Sequence, residues 1–538
     1  MRDDPAGTTA DSAADGGQRE APPAAGPSVD PETADPETPD PETGLTAAET
    51  DLGLRNITRM GLTGQAMGTL TGGAFMTAVL VQLGSPLYVF GLLSALPALA
   101  GAVQVPAAYV IEKYRARKRI AFFGFVATRV FVLSLAAIPL LFGGQLAITL
   151  LLAAILLQNV ASAVSGPAWN SITRDLVPDE RMGAFFSRRQ KLTVGVSIPL
   201  SLGAGWFVTW WAKTNPGSLL RGYSLLFFAG FAVGMGSLYF VRRTPEPAMA
   251  PAAGATKFTE LVLVPFRDEN FRNLMQFLGA WGFAMAIASP FFTVYLLQRL
   301  GFEMSFVIAL TVVSQLANVV FVQIWGRLAD RFSNKAVLGV SGPLVLGSTI
   351  LWLFTAMPDP HRFTVPLIVL IHVLRGMSMA GVSLTTGNIA MRLAPQGQGT
   401  SYLAANSLVG ALAGGIAPLV GGAVAGAFEL HRFTITLNWE SPGGVYSLSA
   451  FYLQGMDFAF VLAFLVGIYA MHRLSLVVEA EAVQRSVVVR NLVEEIKRPL
   501  VTFTAVDGAL DLLTFPFDAL RQTRQQIGER RNGRRRND

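Results

Sequence analysis

The chain has 538 residues, of which 51% are hydrophobic and 14% charged, with 53 glycines and a net charge of +6. Soluble globular proteins carry about 25% charged residues, so this composition excludes an ordinary soluble domain and indicates a polytopic membrane protein. The absence of cysteine excludes disulfides and thiolate chemistry, and 4 histidines leave little for a metal cluster. We expect no metal, no cofactor and no enzymatic activity.

Residues 1–54 are rich in Pro, Ala, Asp, Glu and Thr, and repeat Asp-Pro-Glu-Thr between Asp30 and Thr43. Such a segment cannot bury enough apolar surface to fold, so we predict a disordered, acidic cytoplasmic tail. It lacks the basic stretch and apolar core of a signal peptide. The first membrane segment is therefore expected to direct insertion.

Twelve apolar segments follow, each long enough to cross a hydrocarbon core of about 30 Å as a helix. They lack the alternating polar pattern of barrel strands, so we predict transmembrane helices. In order, segments one to twelve cover about 59–82, 88–111, 119–141, 146–170, 188–211, 221–241, 272–298, 305–327, 336–357, 364–390, 401–427 and 449–473.

Lysine and arginine concentrate in every second connection, namely after segments two, four, six and eight. Cytoplasmic loops carry this excess of positive charge, so we expect these connections and both termini to be cytoplasmic, in the inner membrane. The same distribution explains the net positive charge without nucleic-acid binding.

The two halves of the chain resemble one another at an offset of 217 to 219 residues. We therefore predict two six-helix bundles, 55–243 and 272–473, joined by a cytoplasmic linker at 244–271. A cytoplasmic tail, 474–538, would either lie on the anionic inner leaflet through its amphipathic and basic stretches or remain solvated. The matching pairs are Gly84 and Gly301, Glu112 and Asp330, Gly124 and Gly342, Asn170 and Asn388, Arg174 and Arg392, and Pro199 and Pro418.

A charged run between segments eight and nine reads Gly-Arg-Leu-Ala-Asp-Arg-Phe-Ser-Asn-Lys, from Gly326 to Lys335. It resembles the loop signature of the major facilitator superfamily (MFS), Gly-x-Leu-Ala-Asp-Arg-x-Gly-Arg-Lys, and departs from it at Ser333 and Asn334. The resemblance implies the MFS fold, an all-α polytopic membrane protein with twelve transmembrane helices in two pseudo-symmetric six-helix bundles. It also implies a monomeric transporter that works by alternating access.

In the superfamily this loop has a gating role, and the resemblance implies one here. The alternative is that these charges only set the topology. The first half carries a degenerate copy of this loop around Glu112, which we call the loop copy. A polar cluster at the end of segment four could pair with the loop copy, or could simply stop the helix. The gating candidates are Gly326, Arg327, Asp330, Arg331 and Lys335, the copy residues Glu112, Arg117 and Lys118, and Arg174 and Asp175 of the polar cluster.

Ionisable residues inside membrane spans are energetically costly and mark functional sites. The resemblance implies that helices one, four, seven and ten line the central cavity, which places His372 and Arg375 of segment ten in the substrate site. Arg129 in segment three and Asp457 in segment twelve are expected to face helix contacts within their own halves. Arg375 needs a partner, either a substrate anion, cavity water, backbone carbonyls or Asp457.

Four polar residues, Gln158, Asn159, Gln315 and Asn318, could line the same path or could form hydrogen bonds between helices. The resulting hypothesis is a secondary active transporter of a small solute, anionic or polar, whose identity the sequence does not specify. Segment five lacks the Gly-Pro-x-x-Gly-Gly run of drug antiporters, which weakens a drug-efflux assignment.

No Gly-x-x-x-x-Gly-Lys loop is present, so transport would use an ion or solute gradient. Segments one, four and seven contain no interior carboxylate, so proton coupling would need Asp457 or His372, and uniport or exchange stays open. The alternative class is a non-transporting membrane sensor or assembly factor on the same scaffold.

Overall fold

The computed structural model describes residues 43–249, 264–356, 359–393, 399–442, 444–479, 488 and 491–492. The predictions for residues 1–42, for the middle of the linker and for most of the C-terminal tail, including its basic end, lie outside this range.

The first half contains eight α-helices, joined by turns and one short 3₁₀ turn, Asp179–Arg181. The helices are α1 (Ala47–Thr71), α2 (Gly73–Gln82), α3 (Leu87–Gly101), α4 (Gln104–Tyr114), α5 (Arg117–Leu141), α6 (Gly144–Leu176), α7 (Met182–Thr214) and α8 (Leu219–Arg243).

The second half repeats the pattern and adds one β-hairpin. It opens with a 3₁₀ turn, Val264–Arg267, and its helices are α9 (Glu269–Ala288), α10 (Phe291–Val294) with a π-helical turn Tyr295–Arg299, α11 (Met304–Arg331), α12 (Asn334–Ile350) with a 3₁₀ turn Leu351–Phe354, α13 (Thr364–Arg392), α14 (Gly399–Ala427) and α15 (Met456–Leu476). The hairpin strands are β1 (Arg432–Ser441) and β2 (Gly444–Gln454).

Within the described residues, 11 helices are long and apolar enough to cross a membrane, and they match predicted segments two to twelve. The first predicted segment is helical too, but it breaks at Gly72 into α1 and α2. Glycine carries little penalty for the unusual backbone such a break needs. With this broken helix the two halves contain six spans each.

Helix α1 begins at Ala47, seven residues before the predicted end of the disordered tail at residue 54. The reason is a capping box: Thr46 accepts the backbone N–H of Glu49, and the Glu49 carboxylate accepts the N–H of Thr46 at 3.0 Å. Both bonds satisfy donors that a helix start leaves unpaired. The tail prediction was therefore too long at its C-terminal end.

We call the two ends of the bundle the tail side and the hairpin side. The tail side is the end where the chain enters α1 and leaves α15, and it also holds the turns at 115–116, 177–181 and 332–333. The hairpin side is the opposite end, with the turns at 83–86, 142–143, 215–218 and 300–303, the connection 359–363 and the β-hairpin.

The helices of the two halves pack in equivalent ways. Helix α1 packs on α8 in the first half, as α9 packs on α15 in the second. Most contacts between the halves run through two pairs, α3 with α14 and α7 with α11, and α2 adds contacts with α10, the π-helical turn and α11. At the first pair a Cβ on Gly91 would lie 2.2 Å from the carbonyl oxygen of Pro418, so glycine there permits direct backbone contact.

Among the described residues, the hydrophobic cores of the two halves merge at the hairpin side only. One buried cluster combines residues of both halves, such as Phe75 and Val79 with Leu296 and Val307. On the tail side, the buried clusters belong to one half each. Interface helices are exposed there, with Tyr109 of α4 67% and Leu403 of α14 42% exposed. The bundle is therefore closed at the hairpin side and open at the tail side.

The β-hairpin was not predicted, and it shortens the twelfth span. Strands β1 and β2 pair antiparallel with a bulge between Ile435 and Thr436, and α15 starts at Met456 rather than near 449. The stretch before Met456 is apolar enough to resemble a helix by hydropathy, but it belongs to β2.

Candidate functional site

Two cavities adjoin near the middle of the bundle, and Thr293 lines both. The first, of about 410 Å³, lies between α1, α2, α3, α6 and the α9–α10 junction. The second, of about 330 Å³, lies between α10, α11 and α13. We call them the first-half cavity and the second-half cavity. Both have walls in the shared core, which closes them toward the hairpin side.

All six predicted substrate-binding residues line these cavities. Arg375, His372, Gln315 and Asn318 line the second-half cavity. Gln158 and Asn159 line the first-half cavity. The structure thus brings together two sets of residues that lie more than 150 positions apart in the sequence.

Arg375 has the least satisfied charge at the site. Its Nη1 atom is buried without a hydrogen-bond partner, and its guanidinium forms no ion pair with any residue in the described part of the chain. The guanidinium carbon lies 4.2 Å from the centroid of the Phe292 ring. This cation–π contact supports the charge from one face and leaves the N–H groups of the guanidinium available.

His372 lies one turn before Arg375 on the same helix face. Its Nδ1 contacts the carbonyl oxygen of Ile368 at 2.8 Å, and its ring packs against Trp352 at 5.7 Å. Nε2 has no protein partner among the described residues. Histidine therefore offers the cavity one ring nitrogen that can donate or accept a proton.

Hydrogen bonds between side chain and backbone join α11 to α13 beside these two residues. Ser314 Oγ donates to the carbonyl of His372 at 2.9 Å, and Asn318 Nδ2 donates to the carbonyl of Gly376 at 3.4 Å. A Cβ on Gly376 would lie 2.2 Å from the backbone carbonyl oxygen of Ser314. Because Gly376 permits this close approach, the two helices hold Arg375 on a rigid wall.

The polar residues differ in how far the protein already satisfies them. Asn159 Nδ2 donates to the carbonyl of Ile155 at 2.8 Å, and Asn318 bonds across helices as described above. Gln158 and Gln315 have no side-chain partner among the described residues. The two glutamines are thus the amides free to contact a solute, one in each cavity.

Arg129 and Asp457 lie outside both cavities. Arg129 is 3% exposed and donates to Ser237 Oγ at 2.5 Å, the carbonyl of Phe125 at 3.2 Å and the carbonyl of Gly234 at 3.4 Å. It joins α5 to α8 within the first half, as expected.

Asp457 was predicted to lie inside a span, but it lies in the first turn of α15, at the hairpin side. Its carboxylate accepts the backbone N–H of Gln454 at 2.8 Å and pairs with Arg299 at 3.7 Å. In this conformation Asp457 is therefore not the partner of Arg375, and the alternative that the two form an ion pair does not apply.

The loop between α11 and α12 explains both departures from the MFS signature. Ser333 caps α12 by accepting the N–H of Ala336 at 3.1 Å. Asn334 Nδ2 donates to the Glu479 carboxylate at 3.1 Å, and the Lys335 backbone N–H donates to the same carboxylate at 2.7 Å. Serine and asparagine here replace the glycine and arginine of the signature while stabilising the helix start.

Asp330 is exposed, and its carboxylate contacts no described residue. Its counterpart Glu112 is also exposed and has no such contact. Arg331 instead donates to Asn491 of the tail at 3.3 Å. The Lys335 ammonium donates to the carbonyl of Ser475 at 3.0 Å. Gly326 faces α13 loosely, with Leu384 3.8 Å from its ideal Cβ.

Arg117 is a buried charge of the first half with several partners, although its Nε forms no hydrogen bond. Its side chain is 1% exposed, pairs closely with Asp175, and donates to Ser171 Oγ at 2.9 Å and to the carbonyl of Pro247 at 2.7 Å. Glu246 lies 3.9 Å from Arg117 Nε and accepts the N–H of Lys118 at 3.2 Å. The polar cluster at the end of α6 therefore does contact the loop copy.

Arg174, from the same cluster, pairs with Asp179 at 2.9 Å on the exposed surface. It forms no contact with the loop copy, and its ion pair is local to the end of α6.

Sequence reasoning missed two repeated devices on the tail side. Glu246 and Glu479, each just after the last span of its half (α8 and α15), accept N–H groups at the start of the third span (α5 and α12). Asn56 and Asn270, in the first helix of each half, hold the chain that leaves the sixth helix by bonds of 3.1 and 2.7 Å. The asparagines recur at nearly the repeat offset, which was a usable signal.

Fold and site together define a polytopic membrane transporter built from two six-helix halves around a central polar cavity. The family model described as Major Facilitator Superfamily matches residues 61–418, which is more than half of the chain. The chain belongs to the major facilitator superfamily and is a secondary transporter. The rival function, a sensor or assembly factor, finds no support in these comparisons.

Solved structures with the same fold are similar at low identity. One of nucleoside transporter NupG, in a mutant form, has a TM-score of 0.59 at 14% identity and covers 80% of this chain and 100% of its own. A POT family transporter in complex with a thioalcohol-conjugated peptide has a TM-score of 0.54 at 14% identity, covering 85% and 98%.

A bacterial homologue of the human lysosomal transporter Spinster, inward-facing and occupied, has a TM-score of 0.54 at 15% identity, covering 79% of this chain and 95% of its own. A comparison with curated proteins finds no match.

Proposed function

We propose that the substrate is a small polar anion, a carboxylate or a phosphate, bound by Arg375. The observation that carries this proposal is the guanidinium with a buried, unpartnered Nη1 on the wall of a cavity of about 330 Å³. A buried donor without a partner costs about 1–3 kcal/mol, and more when it is charged. An anionic solute that accepts from Arg375 offsets that cost.

The rest of the cavity suits a compact, polar solute. The planar guanidinium can bind two oxygens of a carboxylate or phosphate at once. His372 Nε2 and the Gln315 amide supply further groups in the same cavity, and Gln158 lies in the adjoining one. A solute that bridges Arg375 and Gln158 would contact both halves, which is the requirement for coupling binding to their relative motion.

The similar structures include a nucleoside transporter and a transporter in complex with a thioalcohol-conjugated peptide, which are chemically different ligands. A shared fold at this level of identity does not fix the substrate. The proposal therefore rests on the site residues of this chain and not on the neighbours.

For orientation we propose that the tail side is cytoplasmic, in the inner membrane, because the tail-side connections carry the excess of Lys and Arg. On this reading the described conformation is inward-open. The hairpin-side seal consists of the Lys213–Glu303 ion pair at 2.8 Å, the Ser305 N–H donating to Thr209 at 3.0 Å, and the Gly91 contact. Transport would break this seal as the tail side closes.

We further propose that Asp330 gains partners when the tail side closes, because it has none among the described residues while that side is open. A charge that changes partners between two states biases the equilibrium between them. Glu112 would act in the same way in the first half. We propose a monomer driven by an ion or solute gradient, with His372 as the protonatable group nearest the substrate, and with no catalytic reaction.

Thermal stabilisation of the purified protein tests the substrate class. A panel of small carboxylates, phosphates and neutral isosteres should contain at least one anion that raises the melting temperature, since a ligand at about 100 times its Kd stabilises the folded state by about 2.7 kcal/mol. Arg375→Gln should abolish that shift, and Arg362→Gln, an exposed arginine at the hairpin side, should keep it. Stabilisation only by neutral or cationic ligands, or an unchanged shift in Arg375→Gln, would contradict the proposal.

Single-cysteine labelling tests the orientation, because the chain has no native cysteine. An impermeant reagent should label cysteines at Ser218 and Ser441 from outside intact cells, and a cysteine at exposed Ala248 only after lysis. Labelling of position 248 from outside would reverse the proposed topology.

A further inference from the structure

The first-half cavity carries no charged side chain among the described residues that line it. The second-half cavity carries one permanent charge among its described residues, Arg375, beside the titratable His372. The polar groups of the first half are instead hydroxyls and amides, and they include Thr71, Thr77, Ser94, Gln158 and Ser289. A charge buried without a partner is costly. The part of a substrate that enters the first-half cavity is therefore expected to be neutral and polar.

The neutral groups of this cavity are accessible and offer both donors and acceptors. Ser289 is exposed to the cavity, and Ser94, Gln158 and Thr77 are half-buried. Thr77 donates its proton to the carbonyl of Gly73 at 3.2 Å, which leaves its oxygen as an acceptor. The hydroxyls of Ser94 and Ser289 form no hydrogen bond with a described residue. A hydroxyl group of a solute both donates and accepts, so it can bond to either kind of side chain.

The break in the first span adds backbone groups to the same cavity. Gly72 is extended and Gly73 has a φ of 53°, so the regular helix is interrupted between α1 and α2, and both glycines line the cavity. No side chain caps the start of α2. At membrane depth, backbone outside a regular helix is tolerated where it lines a polar cavity, and broken helices mark substrate sites in other transporter folds. The break thus supplies further uncharged partners for a polar solute.

We propose that the substrate is a polyhydroxylated monocarboxylate, with the size and chemistry of a sugar acid. This inference rests on the proposed function, because the carboxylate is the anion that Arg375 binds. The hydroxylated body would extend past Thr293, which lines both cavities, toward Ser94 and Gln158. Ligand pockets have volumes of about 300–1,000 Å³, and the first-half cavity alone has about 410 Å³. A carboxylate group at Arg375 would leave that volume unused.

Charge and hydrogen bonding separate this class from its alternatives. An amino acid or a peptide carries a cation, and neither cavity has an Asp or Glu among its described lining residues. A phosphate monoester carries a charge of about −1.5 to −2 at pH 7 and would face one arginine. An unsubstituted fatty carboxylate would leave the hydroxyls and amides of the first half without partners, which costs free energy. A hydroxylated monocarboxylate satisfies the arginine and the neutral polar groups together.

Thermal stabilisation with matched probes tests the inference, namely the sugar acids gluconate and glucuronate, with hexanoate, glucose 6-phosphate and glucose for comparison. At least one sugar acid should reach its half-maximal shift at a concentration about tenfold lower than hexanoate, because two or more hydrogen bonds from its hydroxyls contribute about one decade of affinity. Glucose 6-phosphate should require a higher concentration than that sugar acid, and neutral glucose should produce no shift.

These probes distinguish two kinds of failure. If hexanoate or glucose 6-phosphate stabilises the protein at the same or a lower concentration than both sugar acids, the sugar-acid inference is wrong, while the anion site at Arg375 stands. A shift with glucose equal to that with the sugar acids would contradict the proposed function itself. If neither sugar acid produces a shift, the inference is overturned, and the wider panel of anions alone decides the proposed function.

Variants locate the hydroxylated body. Gln158→Leu should raise the half-maximal concentration of the stabilising sugar acid about tenfold and leave that of hexanoate unchanged, since hexanoate has no hydroxyl for the amide. Ser94→Ala should raise it about threefold without adding volume. Gln145→Leu is the control, because Gln145 lies on the same helix as Gln158 but is exposed at the hairpin side. Unchanged sugar-acid binding in both Gln158→Leu and Ser94→Ala, or an equal loss for hexanoate in both, would overturn the assignment.

Discussion

The two halves of the protein use their buried cations in opposite ways. In the first half, Arg129 is held by three hydrogen bonds between α5 and α8, and Arg117 joins the end of α6 to the start of the linker. In the second half, Arg375 has a buried Nη1 with no partner, although an aromatic ring supports its guanidinium. A costly charge inside a membrane protein is retained either because it is bonded or because it binds something. In the first half the buried charges are bonded within the protein, and we assign the binding of a solute to Arg375.

The loop charges show the same contrast. In the first half the buried Arg117 is paired with Asp175, which is 36% exposed. In the second half Asp330 is exposed and contacts no described residue. The first-half loop is therefore a fixed joint in the described state, and the second-half loop retains a charge that can find a new partner.

The largest effect is expected for Arg117→Ala. The substitution removes a buried side chain with hydrogen bonds to Ser171, Asp175 and Pro247, and charge-assisted hydrogen bonds contribute about 1.5–3 kcal/mol each. Because Asp175 is 36% exposed and regains water, we expect a loss of about 3–4 kcal/mol, below the full sum. The matched control is Arg174→Ala in the same region, whose pair with Asp179 is 59% and 73% exposed and should contribute no more than about 1 kcal/mol. Thermal unfolding in detergent compares the two variants. Equal losses would mean that the Arg117 network is not the joint described here.

A smaller difference should separate the two intramembrane arginines. Arg129→Gln loses charge-assisted hydrogen bonds and should destabilise the fold by about 2–3 kcal/mol. Arg375→Gln loses the cation–π contact with Phe292 but also removes a buried, unpartnered charged donor. These two effects oppose each other, so stability should change by less than about 1 kcal/mol, while solute uptake into proteoliposomes falls to background. If Arg375→Gln is less stable than Arg129→Gln, Arg375 stabilises the fold as Arg129 does, and the contrast between the two halves is wrong.

The smallest effect is a shift between conformations in Asp330→Asn. The carboxylate has no partner in the tail-open state, so the substitution should weaken only the tail-closed state, by about 1 kcal/mol for one surface charge. This shift corresponds to about a fivefold change in the populations. Cysteine labelling on the tail-side cavity wall should increase, whereas Asp359→Asn at the hairpin side should leave it unchanged. Unaltered labelling in Asp330→Asn would remove Asp330 from the gate.

Much of this organisation could be predicted from the sequence because the bilayer restricts the choices. Hydropathy located the spans, and the cost of a charge in lipid singled out Arg375 and His372. The contacts that decide their roles were beyond reach, because they depend on which helix faces which. The family resemblance separated Arg129 from Arg375 by helix number, but only packing shows that Arg129 bonds to Ser237 and that Arg375 lines a cavity.

The errors have physical causes too. The β-hairpin carries an alternating pattern in Phe433, Ile435 and Leu437 that is typical of a strand, but the apolar end of β2 was assigned to the twelfth span by hydropathy. That assignment placed Asp457 inside the membrane and made it a candidate partner for Arg375. The caps at Thr46 and Ser333 are local signals that the sequence offers directly. They fix the starts of α1 and α12.

The central claim is that a solute bound at Arg375 drives closure of the tail side. Double electron–electron resonance measures the distance between spin labels at Val105 of α4 and Leu403 of α14. This distance reports that motion, since both positions are exposed on the interface helices. With an anion from the stabilisation screen at saturation, we predict that the distance shortens in the otherwise wild-type protein and does not change in Arg375→Gln. An unchanged distance in the wild-type background, or the same shortening in Arg375→Gln, would contradict the account.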